Sequence, residues 1–149
     1  MLNDLVSRSL LVFLTIGAIL QETTIYRRRE KLRAMENGLD LGRAYGATLG
    51  RIKAQGGEKA RLGMAVLMRI SRSRRPLQAD EMCRTMAIRI GSNGLSNDGI
   101  PAISALLACC HGLVTMEKGA SSIRLIHFTL QEYLCTHPGL FDNLELTRQ

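Results

Sequence analysis

Tryptophan is absent from the 149 residues, and three Tyr and three Phe bring the aromatic content to only 4%. Large sheets draw on aromatic and β-branched residues, so the core must come from Leu, Ile, Val, Met and Ala, a set that favours helices. Long hydrophobic runs are also missing. The apolar stretch Leu10–Leu20 has 11 residues, whereas a helix crossing a bilayer needs roughly 20. It is no better as a signal-peptide core: Arg8 is the only positive charge before it, and no small-residue cleavage site follows. It reads as a buried helix. Cysteine is sparse and poorly spaced for a disulfide framework, since Cys83, Cys109, Cys110 and Cys135 include no CxxC pair. A reduced, cytoplasmic protein is expected, with no membrane partner. No GxxxxGK[ST] occurs anywhere, which excludes a phosphate loop of that type.

What is present is hydrophobic content of 46%, charged content of 22% and a net charge of +7. The first two support a packed core and argue against wholesale disorder. The charge is uneven. Arg27 to Arg75 holds 14 Lys and Arg against 4 Asp and Glu, while Pro76 to Gln149 holds 5 against 7. The basic segments Arg27–Arg33 and Arg69–Arg75 offer a patch (Arg27, Arg28, Arg29, Arg72, Arg74, Arg75) that suits nucleic acid, a phosphate-bearing ligand or an acidic partner domain. A solvated helix face is the plainer account of the same residues.

Periodicity predicts a mainly α fold. Leu5–Leu20 is helical, and Thr23 or Thr24 caps a second helix that runs to Met35 and ends at the Asn37-Gly38 break. Leu41–Ala54 is amphipathic, with Leu41, Ala44, Tyr45, Thr48, Leu49 and Ile52 on one side. Gly42, Gly46 and Gly50 share another line of that helix, and close contact with a second helix is the expected reason for them. After Gln55–Glu58 comes a helix through Leu62 and Ile70, stopped by Ser71–Arg75. Pro76-Leu77 is extended, Asp80 opens a further helix, and Gly91–Gly99 is a loop. A helix of small and apolar residues then runs from Ile100 or Pro101 to Cys110. Leu113–Glu117 and Ser122–Ile126 are β-rich runs around Lys118–Ser121, a hairpin signal. A closing helix covers Thr129–Leu134, order ends at His137-Pro138-Gly139, and the tail is a severed connection.

That order is a winged helix: helix, short strand, helix, helix, and two strands as a β-hairpin wing. The domains expected are a helical lid-like segment over 1–57, a winged-helix domain over 58–137 and a tail over 138–149. Winged helices that read DNA place Arg, Lys, Asn or Gln of the third helix in the major groove. Ile100–Cys110 has none of these, so sequence-reading is not expected and nucleic acid is an unlikely partner. That helix is expected to face another domain.

The segment Ile123-Arg124-Leu125-Ile126-His127-Phe128-Thr129-Leu130-Gln131-Glu132-Tyr133-Leu134 strongly resembles the "(I/F)xLxHxxxQEYL" segment that closes the winged helix of NACHT-type STAND NTPases. These include fungal NOD-like receptors, often followed by ankyrin repeats, and the domain is also described as a GPI inositol-deacylase-type winged helix. Arg75-Pro76-Leu77 with Asp80-Glu81 resembles that family's "RPLxxxEL", and Cys110–Val114 its "CxGLV". Leu10–Leu20 followed by Arg27–Leu32 is similar to the helical lid after the nucleotide-binding core.

The resemblance implies a nucleotide-sensing role for His127 next to the ADP β-phosphate, and packing and helix-orienting roles for Glu132 and Tyr133. Phe128 stands where the related "MHD" pattern has Asp. ADP or ATP is implied for the intact protein, with no cofactor in this segment itself. The implied partners are the NTPase core and a downstream repeat domain. The Walker motifs and arginine sensor belong to the preceding domain, so this chain is not expected to be an enzyme. Self-association is expected if the apolar helices are uncovered. Cys109, Cys110 and His111 lack the paired spacing of a zinc site, and no metal is expected.

Overall fold

A computed structural model describes residues 9–36, 41–89, 97–117 and 119–142, apart from residues 11, 15 and 18. The chain forms two compact units, Met1–Gly50 and Arg51–Gln149. In the first, the described residues from 9 to 20 are helical. Leu14 is buried there, but Val12, Phe13, Ile16 and Leu20 are exposed, so the expected buried helix instead presents an apolar side to solvent. Helix α1 covers Ile25–Glu36. The Thr24 hydroxyl accepts from the Arg27 amide at 3.3 Å, the cap anticipated for this helix. Helix α2, Leu41–Ala54, crosses the unit boundary and buries Ala44, Tyr45, Thr48, Leu49 and Ile52. A Cβ on Gly50 would meet nothing within 4 Å, so close helix contact does not explain that glycine. Residues 5–8, Asn37-Gly38, residues 91–96 and the tail beyond 142 lie outside the described residues.

The second unit is built around helix α3, Gly57–Arg72. Gly56 (φ 70°) and Gly57 (φ 55°) turn the chain into it through left-handed backbone that a side chain would resist. Seven of its residues are buried, among them Gly63–Met68 without a break, so the middle of this helix is covered nearly all round while its first turn is largely exposed. It touches α4 (Ala79–Arg89), α5 (Ile103–Cys109), α6 (Phe128–Thr136) and the sheet. The tightest approach is at Gly63. A Cβ there would lie 2.5 Å from the Cys109 carbonyl oxygen and 2.9 Å from Ile52 Cγ2. Gln55 Nε2 donates to the same Cys109 carbonyl at 3.0 Å, tying α5 to the turn before α3.

Strands β1 (Leu77–Gln78), β2 (Val114–Met116) and β3 (Ser122–Leu125) form an antiparallel sheet in the order β1-β3-β2. The register pairs Leu77 with Ile123 and Val114 with Leu125, which sets four apolar side chains on one face. Leu77, Val114 and Ile123 are buried there. The wing turns through Gly119 (φ 98°) and Ser121 (φ 52°). The molecule is thus mainly helical, with a winged-helix arrangement in which β1 joins the hairpin to make three strands.

Two expectations are corrected. The third helix is shorter than Ile100–Cys110, because Asn97–Gly99 forms a separate 3-10 turn and α5 begins only at Ile103. Order also continues past Gly139: Pro138–Phe141 is a 3-10 turn with Phe141 buried and the Arg72 guanidinium 6.0 Å from its ring centre. An aromatic side chain close to α3 holds this segment where Pro-Gly chemistry alone signals a stop.

Candidate functional site

The clearest constellation lies where β3 passes into α6. His127 has extended backbone (φ −157°, ψ 150°) and is the N-cap of α6, its ring accepting from the Thr129 amide at 3.3 Å. The Thr129 hydroxyl is 2.8 Å from the same Nδ1. A helix start leaves unpaired amides, and here an imidazole does the work usually done by Ser, Thr, Asp or Asn. Because Nδ1 accepts, the neutral ring carries its proton on Nε2, which becomes a donor. The Phe128 ring lies beside the imidazole, centroids 4.5 Å apart.

His127 borders a pocket of about 340 Å³ that also takes in Arg75, Pro76, Arg124, Phe128 and Gln131. The size falls within the range of small-ligand sites. Its far wall is tied down by Gln131, whose amide donates to the Ser71 carbonyl and so links α6 to the end of α3. Gln131 and Thr129 went unassigned in the sequence reading although both lie inside the quoted motif. A glutamine aimed at a helix C-terminus has no sequence mark until that helix is known to pass nearby.

Of the other predicted residues, Arg72, Arg74 and Arg75 come together, whereas Glu132 and Tyr133 do not join them. Tyr133 is half-buried and stacks on His137 at 4.2 Å, a local packing contact. Glu132, expected to pack, is exposed instead. Arg75 is no loose member of a basic patch. Its guanidinium holds Glu81 through two contacts, 2.6 and 3.1 Å, and its hydrogen bonds keep that carboxyl below the usual carboxylate range. This pair explains why arginine precedes Pro76-Leu77 with an acid six positions on: it joins the loop to the first turn of α4. Arg72 and Arg74 lie with Arg69 and Arg75 around a second pocket of about 450 Å³. Arg27, Arg28 and Arg29 are exposed on α1 in the other unit, where Arg28 donates to the Glu22 carbonyl at 3.0 Å.

All four cysteines are free thiols, with Cys83, Cys109 and Cys110 buried. Burial pushes the Cys110 thiol up to about 12, so it stays protonated at neutral pH. His111 is held below its ordinary value by burial and then by Arg51. Among the described residues, no three His, Cys, Asp or Glu side chains converge as a metal site would need. Nor is any described helix long and apolar enough to cross a membrane.

Comparison with known families returns a match over residues 51–145 to the GPI inositol-deacylase, winged helix domain. The chain belongs to this winged-helix family. The matched span coincides closely with the second compact unit and holds His127 and its pocket. Neither a curated protein nor a solved structure matches the chain.

Proposed function

We propose that this winged-helix chain is a non-catalytic regulatory module of a STAND NTPase of the NACHT type, docking on a nucleotide-binding core and contacting bound ADP through His127. The observation that carries the reading is the capped imidazole. With Nδ1 engaged by Thr129, Nε2 is left as a donor at the rim of a pocket that also holds Arg124. That is what an ADP phosphate oxygen would require of an imidazole whose Nδ1 is engaged as an acceptor. The exposed side of α5 carries Ser104, Ala105 and Ala108, small residues suited to close approach by another protein surface. A cytoplasmic setting accords with three buried thiols. A switch of this kind biases the ADP-bound and ATP-bound arrangements through its different contacts in each.

The test is ADP release from a NACHT-type nucleotide-binding core mixed with this chain. Wild-type chain should slow release, and His127→Ala should abolish the effect. His127→Asn keeps a capping side chain and separates loss of the phosphate contact from loss of the helix start. Release unaltered by wild-type chain would end the proposal. The second reading, a basic winged helix bound to nucleic acid, draws on the exposed arginines Arg69, Arg72 and Arg74. Duplex DNA binding with a steep salt slope and a sequence preference would favour it instead.

A further inference from the structure

The pocket at the C-terminal end of α3 shares Ser73, Arg75 and Leu77 with the pocket beside His127, but its other arginines take no part in the His127 reading. It is bordered by Arg69, Arg72, Ser73, Arg74, Arg75 and Glu81 among its polar residues, and encloses about 450 Å³. All four arginines are exposed, and Glu81 is the one acid among these described lining residues. The Arg75 guanidinium is already held in place by Glu81, and that of Arg72 lies 6.0 Å from the ring centre of Phe141. Restrained side chains lose less entropy when a ligand arrives. The helix C-terminus alone accounts for one or two cations in its last turn. It does not account for four arginines converging on a concavity, with Arg74 outside the helix altogether.

We propose that this pocket binds a compact phosphoryl oxyanion, of the kind presented by a polyphosphate or by the phosphate chain of a nucleotide. The planar fork of arginine matches phosphate oxygens in pairs, which favours such a group over a single carboxylate. A single concavity suits a compact anion better than a nucleic-acid backbone, which needs a track of cations along its length. Glu81 limits the site: while it holds Arg75, one guanidinium is partly neutralised.

The experiment is calorimetric titration of the full chain with sodium tripolyphosphate, with ADP in a parallel arm. Saturable one-site binding is expected, weakened by salt. The double variant Arg69→Gln/Arg74→Gln should weaken it about tenfold, the scale of a lost charge-assisted hydrogen bond. Glu81→Gln should strengthen it, because Arg75 is released. Circular dichroism and thermal melting establish that both variants remain folded. ADP binding no tighter than tripolyphosphate identifies the phosphate chain as the whole ligand; tighter ADP binding identifies a nucleotide as the source. His127→Ala should leave the titration unchanged, so this site and the His127 reading stand or fall separately. Non-saturable uptake would overturn the proposal. So would an equal loss in Arg27→Gln/Arg29→Gln, or duplex DNA binding that tripolyphosphate fails to compete.

Discussion

The middle and the C-terminal end of α3 are made of opposite materials. Near its middle, Gly63 lets the Cys109 carbonyl and Ile52 approach so closely that a single methyl group would collide with both. At its end, Arg69 and Arg72 stand in solvent beside a concave surface. One helix thus serves as the buried axis of the domain and as the edge of a charged site. The difference teaches that tolerance to substitution should fall and rise along 16 residues of one element. The buried middle is constrained by backbone it cannot move, whereas the charged C-terminal end answers mainly to its ligand.

The largest effect should come from the fully buried middle of the helix. Leu67→Ala should cost about 2–5 kcal/mol of stability by emptying a packed position, read by urea unfolding. Gly63→Ala is the sharper test of the close approach. Alanine favours a helix by about 1 kcal/mol over glycine, yet the collision should make the variant less stable by about 1–3 kcal/mol. A more stable Gly63→Ala would break the comparison. Next, His127→Ala should lose about 0.5–2 kcal/mol as the α6 cap disappears, with Asn recovering most of it. Smallest of all, Arg69→Gln should shift stability by less than about 0.5 kcal/mol, because Arg69 is exposed and its attraction to Glu81 is secondary to that of Arg75.

Alkaline pH should also probe the buried middle. The Cys110 thiol, whose sulfur lies 3.8 Å from the Gly63 carbonyl, is pushed up to about 12 by burial. Between its ordinary value of 9.0 and that figure, the folded chain keeps a proton that the unfolded chain releases. Stability should therefore be fully present below about 9 and decline as pH rises through this window, measured by melting temperature against pH. Cys110→Ala should lessen that decline, with the Cys83 and Cys109 thiols, also raised by burial, retaining part of it. In the native state at mildly alkaline pH, a thiol reagent should modify exposed Cys135 well before Cys110.

Much of the fold was legible beforehand because helices and hairpins carry local signals. The Thr24 cap, the positive-φ break at Gly56-Gly57 and the apolar pairing across the wing all follow from neighbouring residues. The close-contact expectation for the spaced glycines fails at Gly50. Gly50 belongs to the evenly spaced series that drew notice, yet its surroundings are open, while isolated Gly63 is the one pressed against a carbonyl. Spacing along a helix reports which side a residue occupies but not what faces it. The Leu10–Leu20 run likewise signals a helix correctly without revealing that Phe13 and Leu20 lie open. For the site, the motif marked His127, but its role as a cap depends on a geometry at the strand-to-helix turn that residue identity does not specify.

By itself, the sequence determined the main elements and their order, the Thr24 cap and the absence of an aromatic core, because these depend on contacts within a few residues. Only the tertiary structure decided that Gln131 ties α6 to Ser71, that Phe141 returns beside Arg72, and that Gly63 meets the Cys109 carbonyl. Each of these joins groups whose proximity is created by the packing of α3 against its neighbours. No local periodicity encodes that distance.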